Sequence, residues 1–144
     1  MINRYITCPI VAIIVVICVT CNAEELLTGK KYKIIKPLYL STWYDDLGNK
    51  TISKETARAY LNVTKNADRP YIAFQHEVPA GTVMTIIGLA PKPWYLYFNS
   101  DHYSVTLDPD MSQGLEVKLP LDSPLERGFG GPGGLNAEFF SRMQ

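Results

Sequence analysis

The sequence predicts a mostly β fold, a small barrel of five to six short strands with one short inserted helix. Three observations predict it. Apolar and polar residues alternate over short runs through most of the chain. Turn residues separate these runs at nearly regular spacing, as in small all-β domains. Cys8, Cys18 and Cys21 are the only cysteines, so the chain after them must fold on an apolar core without a disulfide. With 144 residues, 47% hydrophobic and 19% charged, the chain suits one globular domain rather than a disordered segment.

Residues 1–23 read as a targeting segment. Arg4 supplies a short positive region, and residues 10–19 (IVAIIVVICV) are unbroken apolar. That run has the length of a signal-peptide core and falls short of the ~20 residues that span a bilayer. Two processing readings stand side by side. Cys21-Asn22-Ala23 puts small residues where a signal peptidase cuts, releasing Glu24. Alternatively, CVTC (residues 18–21) resembles a bacterial lipoprotein signal, with Cys21 as the lipidated residue and a membrane tether. In that pattern Cys18 stands where leucine is usual, and Thr20 where a smaller residue is usual. Both readings place the protein outside the cytoplasm, in the periplasm or as a membrane-anchored lipoprotein.

Residues 24–122 form the predicted β-barrel domain. KYKIIKPLYL (31–40) is a strand broken near Pro37. STWYDDLGNK (41–50) is loop material, with its turn at residues 46–49. ISKETARAYLN (52–62) is the predicted helix. Ser53 is its N-cap, Glu55 lies in its first turn, and Ala57, Tyr60 and Leu61 share a face. YIAFQHEV (71–78) alternates as a strand, and PAGT (79–82) is a tight turn. VMTIIGLA (83–90) is an apolar strand. WYLYF (94–98) and YSVTL (103–107) read as a hairpin. LEVKLPL (115–121) alternates cleanly, with Leu115, Val117 and Leu119 inward and Glu116 and Lys118 outward. Residues 123–144 are expected to be a flexible tail. SPLERGFGGPGG (123–134) is too rich in glycine to order cheaply. A short docking segment follows, with Asn136 as a cap and Phe139 and Phe140 packing back on the domain.

The run EVPAGTVMTIIG, followed by WYLYF, HYSVTL and GLEVKL, resembles the middle of an SH3-like small β-barrel. The resemblance covers about half of the chain. It implies a fold and no activity. The predicted helix would be an insertion in the long loop of that fold, where a peptide groove would otherwise sit.

Lysine plus arginine equals aspartate plus glutamate, 14 of each. Nucleic-acid binding needs a basic excess that is missing here. His76-Glu77 and Asp101-His102 offer two imidazoles and two carboxylates, so His76 and His102 are weak metal candidates. Neither lies in a recognised ligand spacing, and strand neighbours point to opposite faces. There is no cysteine after the leader and no Gly-x-Ser-x-Gly, and no cofactor motif is present. GFGGPGG lacks the Lys-Ser/Thr ending of a phosphate loop. Asn49-Lys50-Thr51 and Asn62-Val63-Thr64 match glycosylation sequons, which matter only in a eukaryotic secretory pathway.

The aromatic residues are the main anomaly. Trp43 and Tyr44 lie in the first loop, and Trp94, Tyr95, Tyr97 and Tyr103 lie at the predicted hairpin. One barrel interior cannot hold both faces of such strands, so these six residues form the candidate binding set, with a satellite core under the helix and the C-terminal tail as the other reading. The function expected is a non-catalytic envelope protein that binds a partner protein, with an inhibitor or immunity-type role among its forms. A cell-wall glycan-binding module is the alternative. A small metal-dependent hydrolase using His76 and His102 is third.

Overall fold

The computed structural model describes residues 27–90, 101–121, 128–132 and 134–144. The leader with Cys21, and the segment holding Trp94, Tyr95 and Tyr97, lie outside the described residues. The strands in chain order are β1 (Lys31–Ile34), β2 (Leu38–Tyr44), β3 (Ala57–Asn62), β4 (Ile72–Val78), β5 (Val83–Leu89), β6 (His102–Asp108), β7 (Val117–Pro120), β8 (Gly130–Gly131), β9 (Gly134–Leu135) and β10 (Phe140–Arg142).

Two pairs of these strands make one bent ribbon. Lys31 lies opposite Thr85 and Lys33 opposite Val83. Past the bend, Leu38 lies opposite Val78 and Leu40 opposite His76, in the same register. The ladder continues through the corner, where Ile34 N–H donates to Thr82 O at 2.9 Å and Gly81 N–H donates to Ile34 O at 2.7 Å. Pro37 sits where the first strand bends, and it has no N–H to waste there. On the facing side of the corner, Gly81 takes φ +98°, a conformation that side chains disfavour. The expected break at Pro37 and the expected turn at residues 79–82 are thus two halves of one corner.

Eight strands form one sheet in the order β10-β1-β5-β6-β7-β3-β2-β4. Neighbours are antiparallel except β3 and β7, which run parallel with Ala59 opposite Val117. β10 and β4 are its two ends and do not pair with each other, so the expected closed barrel is not formed. Alternation still sets the inside. Ile34, Leu38, Leu40, Ala59, Leu61, Met84, Ile86 and Leu119 are completely buried and belong to one core cluster. Because every long strand except the edge strand β4 gives several residues to that cluster, the sheet curls around it. Val78, at the corner, is β4's contribution.

The predicted helix at 52–62 is instead β3. Its cap signal is real but short-lived. Ser53 Oγ accepts from Glu55 N–H at 3.2 Å, and Ala57 N–H donates to Ser53 O at 3.0 Å, closing a single turn. Then Ala57, Ala59 and Leu61 turn inward while Arg58, Tyr60 and Asn62 turn outward. Six register pairs with β2 and the ladder to β7 outweigh a weak helical preference.

The described part of the glycine-rich tail is also ordered into structure. β8 and β9 form a two-stranded ribbon. A Cβ on Gly131 would lie 2.9 Å from the Asn136 backbone, so glycine here permits close approach rather than looseness. Phe129 is 1% exposed, with its N–H donating to Pro120 O. Asn136 accepts from Glu138 N–H through its side chain, and Phe139 and Phe140 are buried. The three phenylalanines meet edge to face, with centroids 5.4 to 6.4 Å apart. β10 then pairs with β1.

Candidate functional site

The outer face of the sheet carries a row of rings drawn from four places in the chain. Trp43 on β2 lies 4.9 Å from the Tyr71 ring, which immediately precedes β4. On its other side Trp43 meets Tyr60 of β3 edge-on at 6.2 Å. Tyr60 in turn meets His102 of β6 at 5.9 Å. All four side chains are half-buried. A register shift between Thr42 and Trp43 brings Trp43 opposite Ile72 and next to Tyr71. Bulges of this kind re-aim a side chain at the edge of a sheet.

The polar groups around the row are of two kinds. Arg58, opposite Trp43 in the ladder, binds Asp45 at 3.1 Å and donates to the carbonyls of Lys54 and Ala57. Its guanidinium is therefore held in place beside the indole. Burial is the main influence on Tyr60. It pushes the phenol above its ordinary value, Asp45 adds to that rise, and Arg58 opposes it, so Tyr60 stays a neutral donor at neutral pH. The Trp43 indole N–H is buried and has no acceptor among the described residues. Buried indole N–H groups ordinarily find one.

One end of the face is closed. Ser41 is completely buried, donates to Gln75 Oε1 at 3.0 Å, and accepts from Asn62 and Asn66 amides. Gln75 also bonds the Asn66 backbone in both directions. This amide cluster pins the β3–β4 loop over Ser41. Asn62, one of the sequon asparagines, is occupied by it, whereas Asn49 is exposed in the first loop, where it accepts from Thr51 N–H.

The sequence-predicted residues separate accordingly. Trp43 is central to the row. Tyr44 ends β2, half-buried, with its N–H donating to Tyr71 O. Tyr103 faces inward at 3% exposure and belongs to the core, so it is no part of an exposed face. Tyr60, Tyr71 and His102 are the members that sequence reading missed as a binding set. Only the strand register brings them together. The period-two pattern of β3 was the one available signal for Tyr60.

His76 and His102 do not converge. His76 lies opposite Leu40 on the inner side of edge strand β4, exposed and tilted against Phe74 at 4.9 Å. His102 lies opposite Pro120 on the outer side of β6. Three strands separate β4 from β6, a path of roughly 19 Å at ~4.8 Å per strand. No group of three or more His, Cys, Asp or Glu among the described residues is arranged to hold a metal ion. No helix among them is long and apolar enough to cross a membrane. Comparison with protein-family models, with curated proteins and with solved structures found no match to this chain.

Proposed function

We propose that the chain is a non-catalytic, exported cell-envelope protein that binds a partner protein through the outer face of β4, β2, β3 and β6. An inhibitor or immunity-type role against a secreted toxin is one form of this reading. The observation that carries it is the continuous ring row Tyr71–Trp43–Tyr60–His102, bordered by the fixed Arg58–Asp45 pair. Tryptophan, tyrosine and arginine are the residues that supply most of the binding energy at protein interfaces. Rings already immobilised by their neighbours lose little entropy on binding.

The SH3-like resemblance belongs to this reading as well. The bent ribbon and the curled sheet around one core support a small, incompletely closed barrel of that kind. The leader supports export, and Cys21 supports a tether. Palmitate labelling that vanishes in Cys21→Ser is the outcome expected of a tethered protein, and unchanged labelling removes the tether.

The test of the main reading is affinity capture from envelope extracts with wild type and with Trp43→Ala/Tyr60→Ala. A specific protein held by wild type and lost by the variant, with an unchanged circular dichroism spectrum, is the expected result. A captured set identical for both proteins sinks the assignment of this face. A cell-wall glycan remains the second reading, because a row of half-exposed rings also suits sugars. Retention on purified peptidoglycan that depends on Trp43 would select it.

A further inference from the structure

Beside the ring row, a groove of about 440 Å³ opens among the approach to β3, the start of β7 and the β5–β6 pair. Its floor is apolar, made by Ala57, Val105 and Leu115 of the core. The β5 register shifts between Ile86 and Gly88, and this bulge leaves Ile87 standing in the wall with 53% of its surface exposed. The rim is charged. Arg58 is committed to Asp45, and the rim carboxylate of Glu116 accepts the Ser104 hydroxyl. Lys54 and Lys118 also line the groove, and neither has an ion-pair partner among the described residues.

An apolar floor below two ammonium groups that form no salt bridge among the described residues is complementary to an anionic head group on an apolar body. The geometry points to a binding site for an amphipathic organic carboxylate, its apolar body on Leu115 and Ile87 and its head group held by Lys54 and Lys118. The volume lies within the roughly 300–1,000 Å³ of small-ligand sites. A carboxylate head bonded to lysine gains a charge-assisted hydrogen bond, and the alkyl body gains by leaving water. The neutral overall charge of the chain is no obstacle, because the site depends on these two lysines and not on a long-range field. The inference is independent of the partner-protein reading, since it does not use the rings.

The probe is monomeric octanoate, with octanamide as its neutral counterpart, titrated into the isotopically labelled full chain and followed by amide shifts. Octanoate should give saturable shifts at Ala57, Val105 and Leu115, with octanamide bound at least about tenfold more weakly, as expected for losing a charged hydrogen bond. Lys54→Gln/Lys118→Gln should weaken octanoate by a similar factor, while Lys54→Arg/Lys118→Arg, which keeps both charges, should bind nearly as wild type. Absence of octanoate shifts at these residues, equal binding of the amide, wild-type affinity in the glutamine variant, or loss of binding in a folded arginine variant each overturns the site.

Discussion

Replacing Phe129 by alanine separates a structural tail from a decorative one. Phe129 is 1% exposed and touches Phe139 and Phe140 edge-on at 5.6 and 5.4 Å. Truncating a buried phenylalanine costs about 3–5 kcal/mol through lost transfer energy and the cavity left behind. Edge-to-face pairs add about 0.5–1.5 kcal/mol each beyond area alone, so the upper half of that range is expected. A domain of this size has about 5–15 kcal/mol in total. Phe129→Ala should therefore remove about a quarter of the stability or more. The assay is equilibrium urea unfolding followed by tryptophan fluorescence. With a slope of about 1–3 kcal/mol per molar urea, the midpoint should fall by at least ~1 M. Leu47→Ala, at a residue 53% exposed, serves as the control, and surface changes of that kind stay within about 0.5 kcal/mol. A loss below about 1 kcal/mol for Phe129→Ala would refute the reasoning, because the tail would then contribute nothing to the core.

Three further outcomes are expected. Gly131→Ala drives a Cβ to within 2.9 Å of the Asn136 backbone and should cost about 1–3 kcal/mol in the same urea assay. Above pH 10.0, the ordinary tyrosine value, the unfolded chain ionises Tyr60 before the folded one does. Stability present below that pH is lost as pH rises, and Tyr60→Phe should show a shallower alkaline decline in thermal melts. Asp110 accepts from Ser112 Oγ at 2.6 Å, from Ser112 N–H at 2.8 Å and from Gly114 N–H at 3.0 Å, which holds its carboxyl below the usual 3.8. Its contribution is complete above that value and is lost as pH falls through the folded one. The urea midpoint of Asp110→Asn should accordingly change less between pH 5 and pH 3 than that of wild type.

Strands were legible where alternation was backed by a breaker. The residues of β4, β5 and β7, and the bend at Pro37, follow from period-two patterning and local turn chemistry alone. β3 was misread because Ser53 and Glu55 are a genuine cap, and Ala57, Tyr60 and Leu61 fit a helix face as well as a strand. Pairing with β2, distant in sequence, decided the matter. The described glycine-rich stretch of the tail was misread as flexible because glycine content reports conformational entropy, whereas Gly131 is needed for contact distance; the docking of Phe139 and Phe140 behind the Asn136 cap was legible. Trp43 was legible as a candidate because an aromatic next to a loop is unusual. Its neighbours Tyr60, Tyr71 and His102 were not, since a surface shared by four segments exists only after the register is set. Tyr103 shows the converse, an aromatic beside a turn whose strand phase points it inward.

The pairing of β10 with β1 has a consequence for the order of assembly. Lys33 faces Ser141, so an early strand obtains one of its two neighbours only after more than a hundred further residues exist. While the chain is being made, β1 is an open edge, and open edges recruit strands from other molecules. Closure over such a separation is slow, because loop entropy must be overcome before the contacts form. Between the emergence of residue 34 and that of residue 142, the β1 edge has no β10 to cover it, and a strand of another molecule can compete for that place.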